Sequence, residues 1–244
     1  MSPWFFAVAE REHDIQNPTS PEKIRLLGER MRLDARSQVL DVAAGRGGPA
    51  LVLAREFGCT LTCVECAPVF ATAARERIAA AGLDRLIEVV TADARDSEPE
   101  PGTYDAVMCL GASFIWGGLE GTLRALVPAV RPGGYVAVGE PYWRDWPLPD
   151  DVDDEGYVSL ASTVTRFETC GSPVVSLIAS SEDDWDRYET LHWRACEEWL
   201  AENPGHPEAA ELATAYRDSK AHHLEVQRGL LGWAIFVGWL RPPA

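Results

Sequence analysis

Apolar and polar positions follow two different periods along the first 140 residues. Short apolar runs, such as residues 39–42, end at glycine or acidic residues and predict buried strands. Between them, apolar positions recur at helical spacing, as in residues 50–57 and 68–81. The predicted strands are residues 39–42, 60–64, 86–90, 104–110 and 135–139, with a further helix at 119–130 and a turn at 131–134. Strands that alternate with helices in this way form a parallel sheet.

The pattern changes after Glu140. A stretch rich in Pro, Trp and Asp, residues 141–154, predicts a loop, and a helix is expected to follow it to about residue 168. The remaining predicted elements are strands at 173–179 and 232–240 and helices at 182–202 and 207–228. The last strand is thus separated from its predecessor by a helical insertion.

The net negative charge of the chain argues against two classes of binding partner. The 244 residues include 22 Lys plus Arg against 38 Asp plus Glu, a formal net charge of −16. Such a surface repels phosphate backbones and anionic lipid, so neither nucleic acid nor a membrane is expected as a partner. The sequence contains no run of eighteen apolar residues, and its early Trp-Phe-Phe is too short for a signal peptide. We expect a cytoplasmic protein, with monomer and homodimer both left open.

Two of the six cysteines, Cys63 and Cys66, form a Cys-x-x-Cys pair that raises a metal or redox interpretation. The sequence offers no second such pair and no histidine pair at ligand spacing to complete a four-ligand site. Cys59 and Cys109 stand in apolar segments, where a thiol serves as a small core residue. No metal site is therefore predicted.

A glycine-rich turn follows the first predicted strand. Gly45 and Gly47 stand between that strand and a helix, where the absence of side chains lets a ligand approach the backbone. The spacing Gly45-x-Gly47-x-x-Ala50 also matches a dinucleotide-binding turn, with Glu65 twenty positions after Gly45. An oxidoreductase that uses a nicotinamide dinucleotide, NAD(P), is therefore one hypothesis.

Asp41 favours a different ligand. It lies four residues before Gly45, where its carboxylate would repel a pyrophosphate and attract an ammonium or sulfonium charge. Glu65, at the end of the second strand, suits two ribose hydroxyls, and Asp93, just past the third, can accept a hydrogen bond from an adenine amino group. Acids at the ends of three successive strands are more specific than the glycines alone.

On these residues the chain resembles a class I S-adenosylmethionine-dependent methyltransferase. The resemblance covers residues 37–140, through the glycine motif at 39–48, the fourth-strand segment at 104–111 and the turn at 131–135. It implies a Rossmann-like α/β fold with a seven-stranded, mostly parallel sheet, an antiparallel C-terminal hairpin and a helical insertion before the last strand. It implies S-adenosylmethionine as the cofactor, bound by Asp41, Ala43, Gly45, Gly47, Glu65, Cys66, Ala92, Asp93, Ala94, Leu110 and Gly111.

The same resemblance bears on the acceptor. The Asn/Asp-Pro-Pro-Tyr motif of nucleobase and amide N-methyltransferases is absent, and Leu110-Gly111-Ala112-Ser113 stands in its place. Together with the charge, this favours a small-molecule acceptor, aromatic or cationic, with S-adenosylhomocysteine as the product. Segments such as residues 139–143 resemble a bacterial subgroup that brings no substrate with it. A protein that binds S-adenosylmethionine without catalysis is the remaining alternative.

The expected architecture is one methyltransferase domain over residues 1–244. It divides into an N-terminal helical cap at 1–36, a core at 37–181 and 229–244, and a helical insertion at 182–228 that contributes to the acceptor site. The catalytic candidates at the expected mouth of that site are His13, Glu140 and Tyr142, with His192 in the insertion. Tryptophans 185, 193 and 199 either line the acceptor site or pack the inserted helices.

Overall fold

The structure is a computed structural model that describes residues 3–96 and 99–243. The outermost residues of the expected cap (1 and 2) and of the expected core (244) lie outside this range. Seven strands form one sheet in the order β3-β2-β1-β4-β5-β7-β6. The strands are β1 (Gln38–Val42), β2 (Thr60–Glu65), β3 (Ile87–Thr91), β4 (Tyr104–Leu110), β5 (Val130–Trp143), β6 (Val174–Ala179) and β7 (Leu231–Trp239).

Helices connect these strands on both faces of the sheet. They are α1 (Pro3–Ala9), α2 (Pro21–Arg30), α3 (Gly48–Phe57), α4 (Pro68–Ala81), α5 (Leu119–Leu126), α6 (Leu160–Thr169), α7 (Glu182–Glu202), α8 (Ala209–His222) and the short α9 (Arg228–Leu230). Proline in the first turn and a left-handed glycine after the last turn mark both α3 and α4. Gly58 and Gly82 each have a φ of 68°. These local signals explain why both helices appear where the sequence predicts them.

The C-terminal strands give the sheet its mixed character. β7 runs antiparallel to β5 on one side and to β6 on the other, while β1 to β5 pair in parallel. Helices α7 and α8 lie between β6 and β7 in the chain, and a capping box of Ser181 and Asp184 begins α7. The predicted Rossmann-like α/β fold, with its antiparallel C-terminal hairpin and helical insertion, is therefore confirmed.

Several element boundaries differ from the prediction. β5 runs from Val130 to Trp143, so the predicted turn at 131–134 lies within the strand, as an irregularity in its pairing with β4. The predicted loop therefore begins three residues too early, because β7 pairs with β5 as far as Trp143. The last inserted helix ends at His222 and continues as a π-helical turn over residues 223–227.

Alternating side chains of the central strands form a core on each face of the sheet. In β4, Met108 belongs to the cluster on one face, whereas Val107 and Cys109 belong to the cluster on the other. All six cysteines lie in the described part of the chain and are free thiols, with Cys63 buried and Cys66 exposed. No described helix is long and apolar enough to span a membrane.

Candidate active site

The glycine turn joins β1 to α3 at the carboxyl edge of the sheet. Ala43, Gly45 and Gly47 have φ values of 56°, 54° and 73°. Glycine adopts this left-handed conformation readily, whereas for Ala43 it costs on the order of 1–3 kcal/mol. Such strain clusters at ligand-binding turns, where the surrounding structure holds it in place.

Two acids beside this turn are held in contrasting ways. Asp41 is only 2 % exposed, and its Oδ2 has no hydrogen-bond partner among the described residues. Burial, reinforced by the charge of Glu65, raises the pKa of Asp41 to about 8. Glu65 accepts hydrogen bonds from the backbone N–H groups of Gly45 and Ala67, each at 2.8 Å. A carboxylate offers about four lone-pair positions, so Glu65 retains acceptor capacity for ligand hydroxyls.

A cavity of about 210 Å³ lies at this edge, and five predicted cofactor residues line it. They are Ala43, Cys66, Ala92, Asp93 and Ala94. The guanidinium group of Arg95 donates hydrogen bonds to Asp93, as does the Arg95 backbone N–H at 2.9 Å, and these contacts lower the pKa of Asp93 to about 2. Asp93 is therefore an ionised acceptor fixed at the cavity wall.

Residues 14–17 lie across the glycine turn. A Cβ atom at Gly45 would overlap the side-chain oxygen of Gln16, and one at Gly111 would overlap that of Asn17. Oε1 of Gln16 also accepts a hydrogen bond from the backbone N–H of Arg46 at 2.7 Å. Gly111 follows Leu110, the buried last residue of β4, so the predicted cofactor residues all gather at one edge of the sheet.

This arrangement fits the expected cofactor. The unpartnered Oδ2 of Asp41 offers a site for an ammonium group, and Glu65 offers one for ribose hydroxyls. The cavity walled by Asp93 suits a planar base in size and polarity. A dinucleotide would bring a pyrophosphate close to the carboxyl groups of Asp41 and Glu65, both of which are nearly fully buried.

A second cavity, of about 590 Å³, adjoins the first at Phe114, which lines both. Its walls come from the N-terminal segment, the segments after β4 and β5, the end of β5, β7, and helices α5, α6 and α7. Aromatic and apolar side chains supply much of the lining: Phe114, Pro141, Tyr157, Trp185, Tyr188 and Trp233. Phe114 is 77 % exposed, which is unusual for so large an apolar side chain. A cavity of this size and character is typical of a small-molecule site.

Glu140 is a buried titratable group in the wall of this second cavity. It stands near the end of β5, opposite Ala234 of β7, and its Oε2 has no hydrogen-bond partner among the described residues. Burial raises the pKa of Glu140 to about 7, although a hydrogen bond with Ser113 and the charge of Arg166 oppose the shift. Glu140 can therefore bind or release a proton near neutral pH.

The other two catalytic candidates do not line the cavity. His13 is 1 % exposed, and its Nε2 lies 2.9 Å from the carbonyl oxygen of Tyr188. Burial lowers the pKa of His13, so the ring is neutral at pH 7. The ring of Tyr142 lies over Gly232 and edge-on to Phe236, with ring centroids 6.3 Å apart. Of the three predicted catalytic residues, the structure thus brings only Glu140 to the second cavity.

Several wall residues were not among the predicted site residues. Tyr157 and Trp233 belong to segments whose local sequence gives no sign of a site, whereas Tyr188 lies in the insertion that was expected to contribute to one. The three tryptophans of the insertion serve different purposes. Trp185 lines the cavity, whereas Trp199 packs against Trp4 with ring centroids 5.0 Å apart. Trp193 packs with Lys220 and His223.

Comparisons with known proteins agree with this geometry. A family model described as a methyltransferase domain matches residues 39–134. A crystal structure of a SAM-dependent methyltransferase from Thiobacillus denitrificans, in complex with S-adenosyl-L-homocysteine, is 31 % identical, with a TM-score of 0.91. The alignment covers 98 % of this chain and 99 % of that one.

Two further relatives match over nearly the whole chain. A Geobacter sulfurreducens SAM-dependent methyltransferase, also in complex with S-adenosyl-L-homocysteine, is 30 % identical over 98 % of this chain and 99 % of its own, with a TM-score of 0.92. The Escherichia coli protein YjhP is 29 % identical over 96 % of this chain and 97 % of its own. The site geometry agrees with these matches over nearly the whole chain. The chain therefore belongs to the S-adenosylmethionine-dependent methyltransferases.

Proposed function

We propose that this methyltransferase acts on a small molecule that carries an amine, held in the 590 Å³ cavity. The bound cofactor supplies a methyl group already activated on a sulfonium centre. Asp41, Glu65 and Asp93 would hold its ammonium group, ribose hydroxyls and adenine edge, respectively. The chain's remaining task is to align the acceptor and to exclude water, a contribution worth up to about 7–11 kcal/mol in well-oriented reactions.

The observation that carries the proposal is the unpartnered, buried Oε2 of Glu140 in the cavity wall. Two other acids, Glu120 and Glu155, line the same cavity. Arg166 also lines it, and its Nε lies 3.1 Å from Oε1 of Glu120, so these two opposite charges offset each other. An acceptor that brings a positive charge would give Glu140 a partner, whereas a carboxylate acceptor would be repelled.

The aromatic walls support the same acceptor chemistry. Tyr157, Trp185 and Tyr188 line the cavity, and aromatic rings attract cations through their electron-rich faces. A protonated amine is favoured by both the acid and the rings. Alkyl or aromatic groups attached to the amine would bury apolar surface against the same walls.

Glu140 would then act as the proton acceptor. An ammonium nitrogen has no free electron pair, so it must lose a proton before it can attack the methyl group. Oε2 of Glu140 would receive that proton, and a pKa of about 7 suits a base that works near neutral pH. Asn17 and Tyr188, from the N-terminal segment and α7, would help to shield the reacting atoms from water.

The test is formation of S-adenosylhomocysteine with three matched panels of small molecules: amines, phenols and carboxylates. We expect turnover with amines, and loss of that turnover in Glu140→Gln but not in Glu88→Gln, which alters an exposed residue of β3. Turnover confined to phenols or carboxylates, with Glu140→Gln fully active, would refute the amine proposal. Cofactor binding without turnover on any panel would instead favour a protein that only binds S-adenosylmethionine.

A further inference from the structure

Three side chains able to bind a metal converge from distant parts of the chain. Glu10 and His13 follow α1, and His192 lies in α7. One ligand atom of each lies within 4.8 Å of the other two. Glu10 is 5 % exposed, and the rings of His13 and His192 lie face to face at a tilt, with centroids 4.3 Å apart. The cluster is therefore a buried one, and the methyl-transfer proposal does not use it.

Two atoms of the cluster are without partners. Nδ1 of His13 and Oε2 of Glu10 are buried and make no hydrogen bond with any described residue. They lie 3.8 Å apart, which is too far for a hydrogen bond. This separation is close to the roughly 3.4 Å between neighbouring ligand atoms around a tetrahedral zinc ion with bonds of about 2.1 Å. An ion bound between the two atoms would satisfy both of them.

Hydrogen bonds orient the ligands as metal sites require. Nε2 of His13 lies 2.9 Å from the carbonyl oxygen of Tyr188, which can only accept, so Nε2 carries the hydrogen. In the neutral ring this leaves Nδ1 with a lone pair, 3.8 Å from Oε2 of Glu10. Metal-binding histidines commonly donate their second N–H to a carbonyl in this way. The hydroxyl of Tyr188 donates to Oε1 of Glu10 at 3.2 Å, so the same residue orients two of the three ligands.

We propose that Glu10, His13 and His192 bind one divalent transition-metal ion, Zn²⁺ or a metal of similar ligand preference. Two imidazoles and one carboxylate are donors that Zn²⁺ takes readily. Nε2 of His192 now donates a hydrogen bond to Oε1 of Glu10 at 2.9 Å, so the ion would replace that hydrogen, and the neutral ring of His192 would carry its hydrogen on Nδ1 instead. Glu10 and His192 also line a cavity of about 300 Å³, which leaves room for a water molecule as the fourth ligand.

The ion would join the N-terminal segment to α7. His13 precedes Gln16 and Asn17, whose side-chain oxygens lie against Gly45 and Gly111, by only three and four residues. A metal at His13 would therefore hold these residues in place over the cofactor site. The 590 Å³ and 300 Å³ cavities share four lining residues: Pro141, Tyr157, Trp185 and Tyr188. An ion beside the smaller cavity would therefore be separated from the acceptor by these side chains.

Metal titration of the full-length protein tests the proposal. After removal of metal with a chelator and dialysis, Zn²⁺ is titrated by calorimetry, and Co²⁺ by visible absorption. We expect one ion per chain at micromolar or lower concentration. His192→Ala and Glu10→Gln should each weaken binding at least about tenfold. His222→Ala, an exposed histidine paired with Glu155, and Cys66→Ser, an exposed thiol, are the matched controls and should bind as the wild type does.

Melting temperature separates lost metal binding from lost structure. Zn²⁺ should raise the melting temperature of the wild type and of both controls, but not that of His192→Ala or Glu10→Gln. Glu10→Gln keeps the shape of the buried side chain, so its metal-free form should melt cooperatively. If the wild type binds no ion stoichiometrically, or if both variants bind with unchanged affinity, the cluster is a hydrogen-bonded network alone and the proposal is overturned.

Discussion

Glu65, the last residue of β2, accepts a hydrogen bond from the backbone N–H of Gly45 in the turn after β1, with 2.8 Å between Oε2 and the nitrogen. Its second oxygen accepts from Ala67 at the same distance. One carboxylate thus ties the turn to the neighbouring strand, at the position predicted to bind the ribose hydroxyls. A change at Glu65 is expected to act both on the ligand and on the conformation of the turn.

The first prediction follows from this double role. Glu65→Ala should weaken binding of S-adenosylmethionine and S-adenosylhomocysteine by about 1.5–3 kcal/mol, or roughly 10- to 150-fold. Glu65→Gln, which keeps one acceptor oxygen, should lose less. Calorimetry measures both affinities, and Glu76→Ala, on the exposed face of α4, is the control. Wild-type affinity in Glu65→Ala would remove Glu65 from the binding site.

The second prediction concerns protons released when the cofactor binds. Burial raises the pKa of Asp41 to about 8, so this acid is largely protonated in the free protein at pH 7. An ammonium group at Oδ2 would favour the ionised form, and binding would then release a proton. Affinity should therefore increase as the pH rises from 6 to 8. Calorimetry in buffers of different ionisation enthalpy measures the release, which Asp41→Asn should abolish.

The same raised pKa predicts how the stability of the free protein depends on pH. The folded state binds a proton at Asp41 more tightly than the unfolded chain, whose carboxyl has the ordinary value of 3.8. The contribution to stability is therefore fully present below pH 4 and is lost as the pH rises toward 8. Asp41→Asn should flatten this part of the curve and raise the melting temperature at pH 8. An unchanged curve would show that Asp41 is ionised in the free protein.

The third prediction concerns how the rate of methyl transfer depends on pH. Burial raises the pKa of Glu140 to about 7, so a base at this position is active above pH 7 and is lost as the pH falls through 7. The value of kcat/KM should therefore rise with pH and level off above neutrality. Glu140→Gln should lower turnover by about 10²–10⁴-fold, and its kcat/KM should no longer rise with pH. Glu88→Gln should leave the rate and the profile unchanged.

The gathering of the expected cofactor residues at one edge of the sheet could be predicted because its signals are local. Asp41, Gly45 and Glu65 stand at the ends of consecutive strands, and parallel strands bring such ends to one edge of a sheet. Proline and glycine mark the helices between them. Each of these signals lies within a few residues of the element that it predicts, so none of them depends on contacts between distant parts of the chain.

The acceptor half depends on distant partners. β5 extends to Trp143 because this residue pairs with Leu231 of β7, about ninety residues later. The local sequence around Pro141 instead predicts a loop. Tyr142 packs over Gly232, a contact that its own segment does not reveal. Similarly, Glu10 and His192 come together only after α7 packs on α1. Local sequence patterns do not predict these contacts between distant residues.

The last prediction concerns the N-terminal segment as a cover for the cofactor site. Gln16 and Asn17 place their side-chain oxygens against Gly45 and Gly111, and Arg77 holds the same segment through the carbonyl oxygen of Asp14 at 3.0 Å. Deletion of residues 1–18 would also uncover buried Cys196 and Leu212, so its effect would mix lost cover with lost packing. Point changes at the two contacting side chains separate these effects.

The double variant Gln16→Ala, Asn17→Ala should lower turnover at least about tenfold, because the segment no longer aligns the bound cofactor or excludes water from it. Its melting temperature should change little, since the packing of α1 on α7 is untouched. Hydrogen exchange should increase at residues 10–18 and stay unchanged in β1 and β4. Arg25→Ala, which removes only a surface ion pair with Glu29, is the control. Full activity of the double variant, with the same exchange as the wild type, would show that these two side chains do not hold the cover in place.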